Sequence, residues 1–201
     1  VILRKCFYMF LSDIVNQIIE PLNKSILSMY AIPIDLINYD LITKIPSKFK
    51  TLFDKALYSL KIFFGEINQA DIAGRIYSKH KFMLLGFIIL STFLYILFFD
   101  WLMFFITSYQ ISNDLKFVAA ILFITFMIKL VSSLDYYLLL AFRKYKVFFI
   151  TKIIALGFYI FLLIYIIIND FNFFNFMIIN CIYIFLNSLL LFFARLRFLS
   201  K

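Results

Sequence analysis

The hydrophobic positions of this chain gather into four long runs, at residues 82–106, 117–142, 147–168 and 173–194. Each run exceeds the ~20 mostly apolar residues that a helix needs to cross a bilayer, whereas a barrel strand needs only ~9–11 alternating ones. Short polar stretches separate the runs, at 107–114, 143–146 and 169–175. The pattern therefore predicts four membrane-spanning helices, each antiparallel to the next along the chain.

Two further helices are predicted upstream, at 5–29 and 34–63, with Pro33 as a breaker between them. Both are less apolar, and each carries a stripe of polar residues at helical spacing. The stripe of the first helix consists of Asp13, Asn16, Gln17, Glu20, Asn23 and Lys24. The stripe of the second consists of Asp40, Lys44, Ser47, Lys48, Thr51, Asp54, Lys55 and Tyr58.

Proline and charge spacing add detail to these two helices. Pro21 and Pro46 each remove a backbone donor and predict a kink. Glu20 with Lys24, and Asp40 with Lys44, stand four residues apart with the acid first, which is the better orientation for an ion pair. Residues 64–81 are predicted to form a polar connector, with at most a short helix at the membrane surface.

The polar stripes cannot face lipid, because a charged side chain at the centre of a bilayer costs at least ~2.5–3.5 kcal/mol. Two arrangements avoid that cost. The helices lie flat on the membrane or pair through salt bridges, or their polar faces line a water-filled cavity. The cavity is the favoured interpretation, because both stripes run most of a membrane depth and both helices contain proline.

Composition supports a membrane protein rather than a soluble one. The chain has 201 residues, of which 65% are hydrophobic and 15% charged, with a mean hydropathy of +0.99. Soluble domains average ~25% charged residues, and a chain of this length cannot bury so much apolar surface in a soluble core. The sequence therefore predicts an all-α membrane protein with six transmembrane helices.

The net charge of +9 is spread between the apolar runs. Loops 107–114 and 169–175 contain no Lys or Arg, whereas loop 143–146 contains three basic residues. This alternation follows the positive-inside rule and places both termini in the cytoplasm. No nucleic-acid partner is expected.

Residues that usually carry catalysis or metal binding are sparse. Cys6 and Cys181 are far apart, and the single histidine, His80, stands between two lysines. We expect no enzymatic activity, no metal and no cofactor. Polar residues inside the apolar runs include Lys129 and Asp135 in the fourth helix, Lys152, which is expected to reach the membrane surface, and Asn180 and Asn187 on one face of the last helix.

One long stretch has a familiar pattern. "FLSDIVNQIIEPLNKSILSMYAIPIDLINYDLITKIP" contains Pro21-Leu22, Lys24 and Ile26-Leu27, followed by Tyr39 and Lys44-Ile45-Pro46. It resembles the opening of the C-terminal half of polysaccharide (O-antigen-type) lipid flippases. These belong to the multidrug/oligosaccharidyl-lipid/polysaccharide exporter superfamily. The later stretch "LLLAFRKYKVFFITKIIAL" resembles a cytoplasmic turn of the same half.

This resemblance implies one six-helix lobe of a MATE-like, two-lobe transporter in the bacterial cytoplasmic (inner) membrane, with the N-terminal lobe missing from this chain. The partners it implies are membrane lipids, that other lobe, and an undecaprenyl-linked glycan of the O-antigen or lipopolysaccharide type. Lys24, Lys44 and Lys48 would meet the pyrophosphate. The other implied cavity residues are Asp13, Asn16, Gln17, Glu20, Asp40 and Lys129. Asp13, Asn180 and Asn187 would be the candidates for a cation site.

Two alternatives remain at this point. One is a drug/cation antiporter of the same superfamily, and the other is a non-transporting subunit of a membrane complex. The excess of basic over acidic groups on the second helix favours an anionic substrate over a cationic drug. Two proline-containing amphipathic helices favour a transporter over a subunit without a cavity.

Overall fold

The computed structural model describes residues 2–66, 70–107 and 113–199, without the side chains of 2–6, 16, 56, 58–66, 70–73, 106, 107, 113, 198 and 199. Within these ranges the chain forms six α-helices and no strand. The helices are α1 (Ile2–Tyr30), α2 (Pro33–Glu66), α3 (Ala70–Thr107), α4 (Asn113–Ala141), α5 (Tyr145–Ile168) and α6 (Phe173–Leu199).

Local sequence explains the described helix ends. Pro33 opens α2 at its first position, where a missing N–H costs nothing. Arg143 follows α4 and Asp170 follows α5, each with a positive φ (58° and 71°), the conformation that commonly terminates helices. Asn172 then caps the start of α6, because its Oδ1 accepts a hydrogen bond from the backbone N–H of Phe174 at 2.7 Å.

The six predicted helices coincide with α1 to α6, with one correction. The predicted connector at 64–81 is wrong where it separates 70–81 from the next helix, because α3 runs without interruption from Ala70 to Thr107. Residues 70–81 contain no proline to break the helix, and their single glycine, Gly74, makes no close contact that requires a glycine. Residues 67–69 lie outside the described part. Both α1 and α2 continue past Pro21 and Pro46.

Helix α4 lies at the centre of the bundle. It packs against α2 and α6 on two sides and against α3 and α5 on others, while α6 also packs on α5. Helix α1 packs mainly on α5 and meets α2 over a short stretch. Fully buried side chains fill these interfaces, including Leu27, Ile42, Leu130, Leu134 and Phe176.

Contacts between helix ends define the two ends of the bundle. The Asn23 end contains the end of α1, the start of α2, the end of α5 and the start of α6, where the rings of Tyr30 and Phe171 lie 5.8 Å apart. The Arg195 end contains the beginning of α3 and the ends of α4 and α6, joined by contacts of Asp135. Successive helices therefore alternate in direction, as the short loops predict.

Four helices are long and apolar enough to cross a membrane, namely α3 to α6. The multi-pass, all-helical membrane protein that the sequence predicts is confirmed at this level. The most apolar part of α3 is only 22% buried, whereas that of α4 is 56% buried, so the other described helices cover α4 much more than α3. Helices α1 and α2 are not among the four, since they carry the polar stripes.

Candidate binding cavity

A cavity of about 720 Å³ lies between α1, α2, α4, α5 and α6. Its size falls within the ~300–1,000 Å³ typical of small-molecule sites. No described residue of α3 lines it. Contacts of α1 with α2 include Asn23 with Tyr39 and Lys24 with Asp40, and the cavity lining continues from there along α2 to Asp54.

Lysines outnumber carboxylates on the cavity wall. The lining lysines are Lys24, Lys44, Lys48, Lys50, Lys129 and Lys152. The lining carboxylates are Glu20, Asp40 and Asp54. The wall therefore has a net positive charge, and it suits an anionic occupant.

Toward the Asn23 end, Lys24 pairs with two carboxylates. Its Nζ lies 3.2 Å from Glu20 Oε1 and 3.1 Å from Asp40 Oδ1. The predicted pair between Glu20 and Lys24 is confirmed. The predicted pair between Asp40 and Lys44 is wrong, because Asp40 turns across to α1 instead. All three side chains are substantially exposed, so these ion pairs add only ~0–1 kcal/mol to stability.

Behind this ion-pair cluster, a buried neutral network joins α1, α2, α5 and α6. Asn23 Nδ2 donates to the hydroxyl oxygen of Tyr39 at 2.9 Å and to Asn180 Oδ1 at 2.6 Å. The Tyr159 hydroxyl donates to Asn23 Oδ1, and Asn180 Nδ2 donates to the carbonyl of Phe176 at 3.0 Å. The network ties four helices together beside the cavity.

Along the middle of α2, Lys44 and Lys48 are exposed to the cavity. Among the described residues, neither has a carboxylate within ion-pair distance. Lys50 is different, because it forms an ion pair with Asp54 one turn further along the same helix. Lys44 and Lys48 are therefore available to a ligand.

Deeper toward the Arg195 end, Lys129 of α4 and Lys152 of α5 line the cavity. Lys129 Nζ lies 5.7 Å from the centre of the Phe126 ring, and Lys152 Nζ lies 4.9 Å from that of Phe148. The prediction that Lys152 reaches the membrane surface is wrong, because its side chain is 5% exposed. Packing of α5 against α1 and α6 directs this face of α5 inward.

The structure brings together most of the residues that the sequence singles out. Glu20, Lys24, Asp40, Lys44, Lys48, Lys129, Asn180 and Asn187 all line the cavity. Asp13 and Gln17 are exposed on α1 and do not line it. The side chain of Asn16 lies outside the described part.

The three candidates for a cation site are not brought together on the cavity wall. Asn180 and Asn187 both line the cavity, but they stand two turns apart on α6, and Asn180 is engaged in the neutral network. Asp13 does not belong to the lining. The described residues also contain no cluster of three or more His, Cys, Asp or Glu side chains that could hold a metal.

Several residues have a role in the cavity that the sequence does not predict. Tyr39 and Tyr159 complete the neutral network, and Lys50 and Lys152 add charge to the wall. Tyr39 is singled out in the sequence only by the resemblance, and nothing distinguishes Tyr159 in a chain with 13 tyrosines and 29 phenylalanines. The only sign of Lys152 in the sequence is its isolated position in an apolar run. That position does not show whether its side of α5 faces the membrane surface or the cavity.

A second buried polar cluster lies outside the cavity, at the Arg195 end. Asp135 Oδ1 is 2.8 Å from Arg195 Nε and accepts a hydrogen bond from the Tyr77 hydroxyl at 2.5 Å. The guanidinium carbon of Arg195 lies 4.6 Å from the centre of the Tyr77 ring. This ionic cluster ties α3, α4 and α6 together.

Comparison of the chain with families of proteins, with curated proteins and with solved structures finds no match. Function is therefore inferred from the cavity, its charges and the membrane-spanning helices around it.

Proposed function

We propose that this chain is one lobe of a transporter that moves a lipid-linked oligosaccharide across the bacterial cytoplasmic membrane by alternating access. The observation that carries the proposal is the lysine-rich cavity between membrane-spanning helices. A polar cavity inside such a bundle is where transporters bind their substrates. The proposed activity makes and breaks no bonds, so the protein is not an enzyme.

The pyrophosphate of the substrate would bind at Lys24, Lys44 and Lys48. Ammonium groups are effective point charges for phosphate oxygens. Lys44 and Lys48 are not neutralised by described carboxylates, whereas Glu20 and Asp40 hold Lys24 in position. Hydroxyl and amide groups along the wall provide hydrogen bonds for the sugars. The exposed apolar faces of α3 and α5 fit a lipid environment.

The proposed arrangement places the Arg195 end and both termini in the cytoplasm, in accordance with the basic residues of loop 143–146. A second, N-terminal lobe of the same protein would form the opposite wall, because the exposed polar groups of α1 and α2 need a polar neighbour within a bilayer. The MATE-like relation between two such lobes is part of this proposal.

A drug/cation antiporter is the nearest alternative. Its cationic ligands need an excess of carboxylates, and this wall has an excess of lysines. A non-transporting subunit of a membrane complex would leave a cavity of this volume without a role. Neither alternative accounts for lysines that lack a carboxylate partner.

The test uses Lys44→Gln in the chromosomal copy of the gene, with Lys55→Gln as a matched control. Lys55 is exposed on the same helix and does not line the cavity. We expect Lys44→Gln to lower surface glycan about tenfold or more, the effect of losing one charge-assisted contact, with unchanged protein abundance. Lys55→Gln should change neither quantity. Normal glycan export by Lys44→Gln at normal abundance would refute the flippase proposal.

A further inference from the structure

We propose that the deep part of the cavity, around Lys129 and Lys152, is a separate site for an acidic sugar, meaning a sugar unit that carries a carboxylate or phosphate. This inference rests on the proposed function and deepens it by naming the class of oligosaccharide. The Lys24, Lys44 and Lys48 site would hold the pyrophosphate, and the deep site would hold a second negative charge on the glycan itself.

The charges around the deep site come from several helices. Lys50 and Asp54 of α2 act electrostatically on Lys129, and Lys129, Lys50 and Asp13 act on Lys152. Asp54 is the only carboxylate among the described lining residues at this depth, and it is already paired with Lys50. Asp13 acts from α1, outside the lining. Lysines therefore outnumber carboxylates at this depth, and an anionic group of a ligand would supply the counter-charge that a buried ammonium needs.

Hydrogen bonding indicates that the ligand also carries hydroxyl groups. Asp54 Oδ1 and Asn187 Oδ1 are buried acceptors without a hydrogen-bond partner in the described part of the chain, and both residues line the cavity. A buried acceptor without a donor is costly, so such atoms commonly await a water or a ligand group. A simple anion cannot donate to them, whereas the hydroxyls of a sugar can. Lysines and unpaired acceptors together therefore select an acidic sugar.

The deep site is separated from the pyrophosphate site along the cavity. Asp13, which acts electrostatically on Lys152, and Lys24 of the pyrophosphate site are eleven residues apart on α1, which is roughly 16 Å at 1.5 Å per residue. Lys129 and Lys152 reach the cavity from α4 and α5, whereas Lys24 and Lys44 reach it from α1 and α2. Two anionic groups of one substrate can therefore occupy the two sites at once.

The test measures binding of radiolabelled glucuronate and of inorganic pyrophosphate to the full protein in lipid nanodiscs, with glucose as the neutral competitor. We expect glucuronate to bind and glucose to compete poorly. Lys129→Gln and Lys152→Gln should each weaken glucuronate binding about tenfold or more and leave pyrophosphate binding unchanged. Lys44→Gln should do the reverse, and Lys129→Arg, which keeps the charge, should retain glucuronate binding.

Pyrophosphate binding shows that the Lys129 and Lys152 variants are folded, and glucuronate binding shows the same for Lys44→Gln. Equal competition by glucose, unchanged glucuronate binding in both glutamine variants, or parallel loss of both ligands would overturn the deep site. These measurements do not depend on transport. If glucuronate binds as expected but Lys44→Gln exports glycan normally, the deep site stands and the flippase proposal fails. If export depends on Lys44 and glucuronate shows no preference, the flippase proposal stands and the deep site fails.

Discussion

The two buried polar clusters of this protein are equally deep but differ in charge. Asn23, at the centre of the neutral network, and Asp135, at the centre of the ionic cluster, are each 2% exposed. The neutral network joins α1, α2, α5 and α6, and the ionic cluster joins α3, α4 and α6. Since burial is the same, any difference in their energetics comes from charge.

That difference concerns what remains when one partner is lost. A neutral network that loses a member leaves an unpaired amide or hydroxyl, at a cost of about 1–3 kcal/mol. An ionic cluster that loses a member leaves a buried charge, which costs about 3–5 kcal/mol, although replacing both charges by apolar groups is often neutral. A single substitution in the neutral network is therefore expected to lower the free energy of unfolding less than a single substitution in the ionic cluster.

Asp135→Ala should have the largest effect. It leaves the guanidinium of Arg195 buried without its counter-charge, and we expect a loss of about 3–5 kcal/mol in the free energy of unfolding. The measurement is an unfolding titration of the purified protein in mixed detergent micelles, in which the fraction of SDS is increased and circular dichroism monitors the loss of helix. The double variant Asp135→Leu/Arg195→Met should recover most of the loss. A double variant as unstable as Asp135→Ala would show that charge is not the cause.

Asn180→Ala should have an intermediate effect. Asn23 Nδ2 loses one of its two acceptors, and the expected loss is about 1–3 kcal/mol in the same unfolding assay. Asn175→Ala, at an exposed position of the same helix, is the control and should change stability little. A loss for Asn180→Ala as large as that for Asp135→Ala would remove the distinction between the neutral and ionic clusters.

Lys24→Gln should have the smallest effect on stability, although it breaks two ion pairs. Its partners, Glu20 and Asp40, are mostly exposed, so the expected change is at most ~1 kcal/mol. Repeating the measurement in 1 M salt should abolish even that change, because the screening length falls to about 3 Å. A loss above 2 kcal/mol that persists in salt would show that exposed and buried ion pairs behave alike here.

Sequence reasoning succeeded where the physical signal is local. Long apolar runs identify α3 to α6, and helical spacing identifies the polar stripes of α1 and α2. It also identified Lys24, Lys44, Lys48 and Lys129, all of which line one cavity.

It failed where the outcome depends on which helices pack together. Asp40 has a suitable lysine four residues away, yet it pairs with Lys24 of another helix. Asp135 lies only two turns from Arg143 in the sequence, but its partner is Arg195, sixty residues further on. Such partners have no signature in the local pattern, because tertiary packing decides them.

The uninterrupted course of α3 makes it a rigid rod longer than a bilayer is thick. Its 38 residues extend about 57 Å, against a hydrocarbon thickness of about 30 Å. Tyr77 fixes the rod to α4 at the Arg195 end, and no described residue of the rod touches the cavity. Helices adapt to thicker or thinner membranes by tilting. Asp100 also joins the rod to α4 near its other end, through an ion pair with Lys116, so α3 and α4 would tilt together when the thickness of the bilayer changes.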